Sequence, residues 1–182
     1  MCLIVFAYDC HPRYTMILAA NRDEYFKRPT ASACFWDSHP EILAGRDLEM
    51  LGTWMGISRS GRWAALTNFR DPASQLANPK SRGRLVGNFL CGDTSPFDYL
   101  QDVVLARDSY NPFNLLVGDG AKLFFLCSKA AEIKELTPGL YGLSNQQLDY
   151  PWPKVQKSKQ ALAQYLDLSQ EVEPQALFEI LA

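Results

Sequence analysis

The sequence predicts an α+β fold in which β-hairpins are layered with amphipathic helices. Three observations predict it. Two strand-length apolar runs stand at the N terminus, Ser-Gly and Asp-Gly turns separate later apolar runs, and a Ser-Pro pair marks a helix start. The 182-residue length suits a single domain over residues 1–182, which is long enough to bury a substantial core.

Composition narrows the class of protein. A hydrophobic share of 47% with a charged share of 21% is typical of a soluble globular chain. A net charge of −2 without a basic block argues against a nucleic-acid partner. Five scattered cysteines without a C-x-x-C pair predict reduced thiols and a cytoplasmic location. No metal-ligand spacing is present, so no metal site is expected, and no cofactor is expected either. Leu3–Tyr8 is too short for a membrane span and lacks the basic flank of a signal peptide, so no integral membrane segment is expected.

The first predicted element is a β-hairpin formed by Leu3–Tyr8 and Tyr14–Ala20. The turn formers Asp9 to Arg13 separate the two runs. Both runs are apolar at odd and even positions alike. A strand with that pattern is covered on both faces, as in the middle of a layered domain.

A second hairpin is predicted from Gly52–Ile57 and Arg62–Asn68, joined by a turn that contains Gly61. A loop-rich crossing is expected before it at residues 27–40, where two prolines stand. A polar surface or lid loop is expected after it at residues 70–79.

The second half predicts helices, then strands, then helices. One helix opens at Ser81–Arg84 and another at Ser95-Pro96, where Ser95 is the N-cap. The later strands are Phe113–Gly118, Ala121–Cys127, Ile133–Leu136 and Gly139–Leu143, and further helices open at Trp152 and Pro174. The chain stops inside the last helix without a cap, as expected of a C-terminally truncated or naturally shortened domain.

The predicted chemical centre combines Cys2 with Asn21, Arg22, Asp23 and Glu24, which follow the second strand. If Met1 is trimmed, Cys2 carries a free amine with a reference pKa of about 8 and a thiol with one of about 8.5. The amine can then serve as general base for its own side chain, and a nearby cation such as Arg22 favours the thiolate. The alternative is that Cys2 is simply a small apolar residue at the start of a strand.

Several further motifs accompany this centre. They are Gly52-Thr53-Trp54-Met55-Gly56-Ile57, Ala65-Leu66-Thr67-Asn68-Phe69-Arg70, Ser81-Arg82-Gly83, Gly142-Leu143-Ser144-Asn145 and Pro151-Trp152-Pro153-Lys154. With the opening Cys2 and the Asn-Arg-Asp-Glu tetrapeptide, the chain resembles the NRDE family of transport-and-Golgi-organisation type over residues 1 to about 155. That family resembles cysteine-type N-terminal nucleophile hydrolases. The resemblance implies a four-layer αββα sandwich of two mainly antiparallel sheets.

The resemblance also implies a candidate hydrolase of a linear amide or acylated amine. Cys2 would be the nucleophile, Arg22 would favour the thiolate or bind a substrate anion, and Asp23 would orient the amine. Asn145 would stabilise the oxyanion, although it can equally cap a turn. Substrate-binding candidates are Asn21, Glu24, Asn68, Arg82 and Arg84. Arg82 and Arg84 can alternatively be a solvated helix end.

One departure from the hydrolase pattern concerns Arg22 and Asp23. These residues are adjacent here, and adjacent strand residues point to opposite faces. Both can approach Cys2 only if the strand breaks at this point.

The runner-up hypothesis is a non-catalytic carrier or chaperone for haem or acyl-CoA and related lipids on the same fold, since family members have been linked to such ligands. A basic rim of Arg22, Arg46, Arg82 and Arg84 suits phosphate or propionate groups. Haem-ligand candidates are few, namely His11, His39 and Cys10. A third possibility, an interaction protein on a hydrolase scaffold, has no dedicated surface motif.

Overall fold

The computed structural model describes residues 2–169 and 171–181, and these form two compact units. The first contains the described part of residues 1–23 and 137–182, and the second contains residues 24–136. The strands are β1 (Leu3–Tyr8), β2 (Met16–Asn21), β3 (Thr30–Trp36), β4 (His39–Asp47), β5 (Met55–Ser58), β6 (Trp63–Asn68), β7 (Phe113–Gly118), β8 (Leu123–Cys127), β9 (Glu132–Glu135) and β10 (Gly139–Leu143). The helices are α1 (Gly83–Cys91), α2 (Pro96–Ala106), α3 (Pro153–Leu168) and α4 (Pro174–Ile180).

The first unit is an antiparallel sheet of order β10-β1-β2. Its central strand β1 is buried from Leu3 to Ala7, which confirms the prediction of a strand covered on both faces. Helices α3 and α4 pack on the face that carries Val5 and Ala7, where Leu162 of α3 completes a core. Gly142 of β10 permits this close packing, since a Cβ there would lie 2.5 Å from Val155 of α3.

The second unit is a seven-stranded antiparallel sheet in which β3 to β9 follow one another in chain order. Helices α1 and α2 pack on one face of it. Phe89 of α1 and Leu100 of α2 meet Leu66, Phe113 and other inward side chains of the sheet in one apolar core. Ser95 caps α2 as predicted, because its side chain accepts a hydrogen bond from the Asp98 amide.

The α+β class and the two antiparallel sheets are confirmed, and the bounds of β1, β7 and β10 are those predicted. The second strand begins at Met16 rather than Tyr14. The reason is that the Asp9 amide donates to the Thr15 carbonyl at 2.7 Å and so lengthens the turn.

The prediction of a loop crossing at residues 27–40 was wrong, because β3 and the start of β4 occupy it. Strand β3 is the exposed edge of its sheet, and its pairing with β4 shifts register twice, as at β-bulges. Such a strand has neither alternation nor an apolar run for a pattern to detect. None of the described helices is long and apolar enough to cross a bilayer.

Candidate active site

Cys2 lies immediately before the central strand of the first unit, and both neighbouring strands supply polar residues to its flanks. In the β1–β2 register Leu3 pairs with Asn21, and in the β1–β10 register Ile4 pairs with Leu143. The paired registers end there. Arg22 is the next residue after β2, and Asn145 is the second residue after β10. Three residues that the sequence singled out therefore lie at or just beyond the strand ends of one sheet.

The main-chain carbonyl of Cys2 is held by two side chains. Ser144 Oγ donates to it at 2.6 Å, and Lys154 Nζ donates to it at 3.0 Å. Ser144 is buried at the end of β10, and Lys154 is half-buried in the first turn of α3. The first peptide of the strand is therefore fixed from both the sheet and the helix.

Lys154 was not predicted as a site residue, although it is the last residue of the Pro151–Lys154 motif that the chain shares with the family. Burial lowers the pKa of the Lys154 ammonium, and the charge of the Cys2 thiolate opposes that shift. Its Nζ also lies 5.6 Å from the centre of the Trp152 ring. A lysine in the first turn of a helix is usually a solvated side chain, so its type and position gave no signal of this contact.

The strand break that the sequence required occurs at Asn21, the last residue of β2. Arg22 and Asp23 lie beyond it, so strand alternation does not constrain them. Arg22 is half-buried and Asp23 is exposed. Asn21 pairs with Leu3, which shares the face of Val5, and its Oδ1 is buried without a hydrogen-bond partner in the part of the chain that the structure describes.

Asn145 follows β10 and is half-buried. Its Oδ1 lies 3.4 Å from Ser144 Oγ. Its role as oxyanion donor stays a prediction, and so does the trimming of Met1, which lies outside the described residues.

The remaining substrate-binding candidates, Glu24, Asn68, Arg82 and Arg84, belong to the second unit. Asn68 ends β6 and Arg82 precedes α1, and both line one cavity. Arg84 is exposed in the first turn of α1 and does not contribute to the described lining.

Glu24 belongs to an ionic cluster that fixes the loop after the tetrapeptide. Arg28 donates from Nε and Nη2 to Asp47 Oδ2, at 2.9 and 2.7 Å. Its Nε also lies 4.0 Å from Glu24, and its Nη1 lies 3.9 Å from Glu49. Burial alone would raise the pKa of Asp47, but the hydrogen bonds from Arg28 and from two backbone amides hold it below its ordinary value.

Arg82 is positioned by a close approach of two backbone segments. A Cβ on Gly52 would lie 2.6 Å from the carbonyl carbon of Gly83, and the Thr53 amide donates to the Gly83 carbonyl at 3.1 Å. Only glycine fits at such a distance. Two of the motifs that the chain shares with the family, at residues 52–57 and 81–83, therefore contact each other through these backbone atoms.

The haem-ligand candidates occupy local turns. His11 Nδ1 accepts from the Arg13 amide at 3.2 Å, and His39 Nδ1 lies 3.1 Å from Ser38 Oγ. Cys10 Sγ lies 3.6 Å from the Gly139 carbonyl. Arg46 of the predicted basic rim stacks over Trp36 at 4.8 Å. Across residues 2–169 and 171–181, no group of three or more His, Cys, Asp or Glu residues is placed to hold a metal ion.

Comparison with known proteins assigns the chain to a family. The model of the family described as Transport and Golgi organisation 2 matches residues 1–182. The Transport and Golgi organization protein 2 homologs of Homo sapiens and Bos taurus are each 40% identical to the chain, over 100% and 97% of it. The chain spans 70% and 68% of their lengths. The Drosophila melanogaster protein is 30% identical over 88% of this chain and 63% of its own length.

Among solved structures, the Caenorhabditis elegans ortholog of N-acylethanolamine-hydrolyzing acid amidase, an N-terminal nucleophile hydrolase, superimposes with a TM-score of 0.56. The match covers 100% of this chain and 86% of the amidase at 13% identity, so the likeness concerns the fold alone. The chain belongs to the Transport and Golgi organisation 2 family and has an N-terminal nucleophile hydrolase-like fold.

Proposed function

We propose that the protein is a cysteine N-terminal nucleophile hydrolase that cleaves a linear amide or an acylated amine. The observation that supports this most is the position of Cys2. It stands immediately before the central strand, and Arg22 and Asn145 follow the two strands that pair with that strand. A thiol, a cation and an amide donor are the groups that acyl transfer through a thioester requires.

The first step is attack on the substrate. After Met1 is removed, the Cys2 α-amine takes the proton of its own thiol, and the sulfur attacks the amide carbonyl carbon. Negative charge then develops on the carbonyl oxygen. The Asn145 NH2 group donates a hydrogen bond to that oxygen, and Arg22 contributes positive charge to the site.

The second half of the reaction regenerates the enzyme. The C–N bond breaks as the α-ammonium gives its proton to the departing amine, which leaves an acyl thioester on Cys2. The α-amine then takes a proton from water, and the hydroxide oxygen attacks the thioester carbonyl. The C–S bond breaks, the carboxylic acid leaves, and the thiol is restored.

Two residues act through Cys2 rather than on the substrate. Ser144 and Lys154 hold the Cys2 carbonyl and thereby fix the residue that carries both nucleophile and base. The Lys154 ammonium also lies in the field of the thiolate, which favours the ionised thiol. We assign both as positioning residues.

N-acylethanolamines are a suitable first substrate class, since the amidase of similar fold is named for hydrolysing them. In a first assay, saturated N-acylethanolamines of increasing chain length are incubated with protein whose N terminus has been determined by mass spectrometry. The free amine is quantified, and quenched samples are examined for an acyl adduct. We expect turnover and an adduct on Cys2, with both lost in Cys2→Ala.

Cys10→Ala is the matched control, because Cys10 lies in the same unit with its thiol at the Gly139 carbonyl. It is expected to retain turnover. Full activity of a preparation that keeps Met1 would contradict the use of the α-amine as base. If no amide is cleaved and haemin or acyl-CoA binds saturably instead, the carrier hypothesis replaces this proposal.

A further inference from the structure

A cavity of about 410 Å³ opens in the second unit beside the start of α1. Its lining includes Asn68, Phe69, Arg70, Pro72, Gln75 and Arg82. A volume of this order is within the range of small-molecule sites, roughly 300–1,000 Å³. The lining combines two guanidinium groups with amide and apolar side chains.

Arg82 has most of its hydrogen-bonding capacity unused. Within the part of the chain that the structure describes, its guanidinium makes one hydrogen bond, from Nη1 to the Pro112 carbonyl at 3.1 Å. A guanidinium has five N–H donors. Arg82 is half-buried, and this burial lowers the pKa of its guanidinium, while no carboxylate in the described residues forms an ion pair with it.

The carboxylate in the lining, Asp71, is already neutralised. Its Oδ2 forms an ion pair with Lys129 Nζ and accepts a hydrogen bond from Ser74 Oγ. Glu24 also acts on Arg82 through its charge, but it is paired with Arg28. Neither carboxylate therefore forms an ion pair with Arg82.

The cavity wall formed by residues 70–76 is held in place. Gln75 Nε2 donates to the Asp71 carbonyl at 3.2 Å, and the Leu76 amide donates to Asn111 Oδ1 at 2.8 Å. The first of these bonds lies within the segment, whereas the Leu76–Asn111 bond and the Lys129–Asp71 ion pair tie both ends of the segment to the rest of the unit. A wall fixed in this way is suited to binding, because little order has to be imposed when a ligand enters.

We propose that this cavity binds the oxyanion group of a small organic acid, either a carboxylate or a phosphate monoester. Arg82 supplies the planar donor pair that oxyanions of both kinds accept, and Arg70 adds a second charge. Phe69 and Pro72 contact the apolar part of the ligand. The site differs from the sequence-based expectation in using Arg70, rather than Arg84, with Arg82. It is independent of Cys2 chemistry.

Titration calorimetry with butyl phosphate, pentanoate and uncharged butanol tests the proposal on the full chain. We expect saturable binding of at least one anion and none of butanol. Arg82→Gln and Arg70→Gln should each weaken anion binding about tenfold or more, since a hydrogen bond to a charged group contributes on that scale. Arg84→Gln is the matched control and should bind as the parent does. Which anion binds more tightly identifies the source of the oxyanion.

If Arg82→Gln does not fold, Arg70→Gln tests the proposal instead. Arg70 is exposed, and its replacement leaves the hydrogen bond from Arg82 to the Pro112 carbonyl intact. Anion binding that neither substitution weakens, or the absence of saturable binding of either anion, overturns the proposal. Cys2→Ala should bind the anions unchanged. Failure of the proposed hydrolysis is thus distinguishable from failure of this site.

Discussion

The ammonium of Lys154 donates a hydrogen bond to the main-chain carbonyl of Cys2 across 3.0 Å, although 151 residues separate the two in the chain. Ser144 donates to the same oxygen. Both donors come from the segment that follows β9, so the surroundings of Cys2 are built by a distant part of the sequence. If Cys2 is the nucleophile, its reactivity should therefore depend on a residue that need not touch substrate.

Replacing Lys154 with Met should slow alkylation of Cys2 by iodoacetamide at pH 7 about three- to tenfold, because the cation that favours the thiolate is lost. The alkylation pH profile should move to higher pH, and Lys154→Arg should restore part of the rate. Peptide mapping measures the rate at each cysteine. Lys157→Met, on an exposed position of α3, is the control. An unshifted pH profile would leave Lys154 with a purely structural role.

Cys2 should also react faster at neutral pH than Cys10 and Cys91. Burial raises the pKa of both of these thiols, so the thiolate fraction of each is small at pH 7. The same peptide-mapped labelling, repeated from pH 6 to pH 9, measures the three rates. Equal rates at neutral pH would favour the carrier hypothesis.

Asn145→Ala should lower kcat about 100- to 1,000-fold with little change in KM, as expected when one oxyanion donor is removed. Thermal unfolding of the variant should show that the first unit remains folded. Gln147→Ala changes an exposed side chain two residues away and should leave kcat unaltered. A kcat loss of equal size in both variants would indicate a structural effect.

Asp47→Asn should lower the free energy of unfolding by about 1 kcal/mol at pH 7, the scale of a well-formed ion pair at a partly exposed site. The pKa of Asp47 is depressed in the folded protein. The ionised pair therefore stabilises the fold above the ordinary carboxyl pKa of about 3.9, and this stability is lost as pH falls through the folded-state pKa. Urea unfolding between pH 3 and pH 7 should show a weaker pH dependence in the variant.

The control for Asp47 is Asp108→Asn, since Asp108 pairs with Arg107 at 3.7 Å with its side chain 88% exposed. It should change neither the stability nor its pH dependence. A pH dependence that is unaltered in Asp47→Asn would mean that the Arg28–Asp47 pair contributes no net stability.

Gly52→Ala should lower the free energy of unfolding by about 1–3 kcal/mol, because the added methyl collides with the Gly83 backbone. It should also displace Arg82 and weaken anion binding in the cavity. Gly87→Ala is the matched control. Its Cβ would lie at an ordinary 3.6 Å from Trp36 within a helix, where alanine is favoured over glycine by up to about 1 kcal/mol. Urea unfolding and calorimetry measure both effects.

The sequence predicted the elements that are evenly buried or that begin with a clear start signal. Strand β1 is apolar throughout because both of its faces are buried, and α2 begins where Ser95 and Pro96 mark a helix start. Strand β3 could not be predicted in this way. Its edge position leaves most of its side chains exposed, and its shifted register removes the alternation of a regular strand.

Only part of the candidate site could be predicted from the sequence. Cys2, Arg22 and Asn145 carry recognisable chemistry at strand ends, so their types and positions pointed to a site. Lys154 carries no such signal, because its role depends on the angle at which α3 meets the sheet. Its motif, Pro151 to Lys154, was the available clue. Arg70 likewise carries no such signal, because it belongs to a polar loop, and the cavity exists only once that loop is fixed by Asp71 and Gln75.

The central place of β1 in its sheet also has a consequence for biosynthesis. In the order of synthesis β1 precedes one of its partners, β10, by more than a hundred residues. Until β10 and α3 have been made, Cys2 lacks Ser144 and Lys154, the two side chains that hold its main-chain carbonyl. The contacts around Cys2 therefore form only when the segment around α3 has been translated.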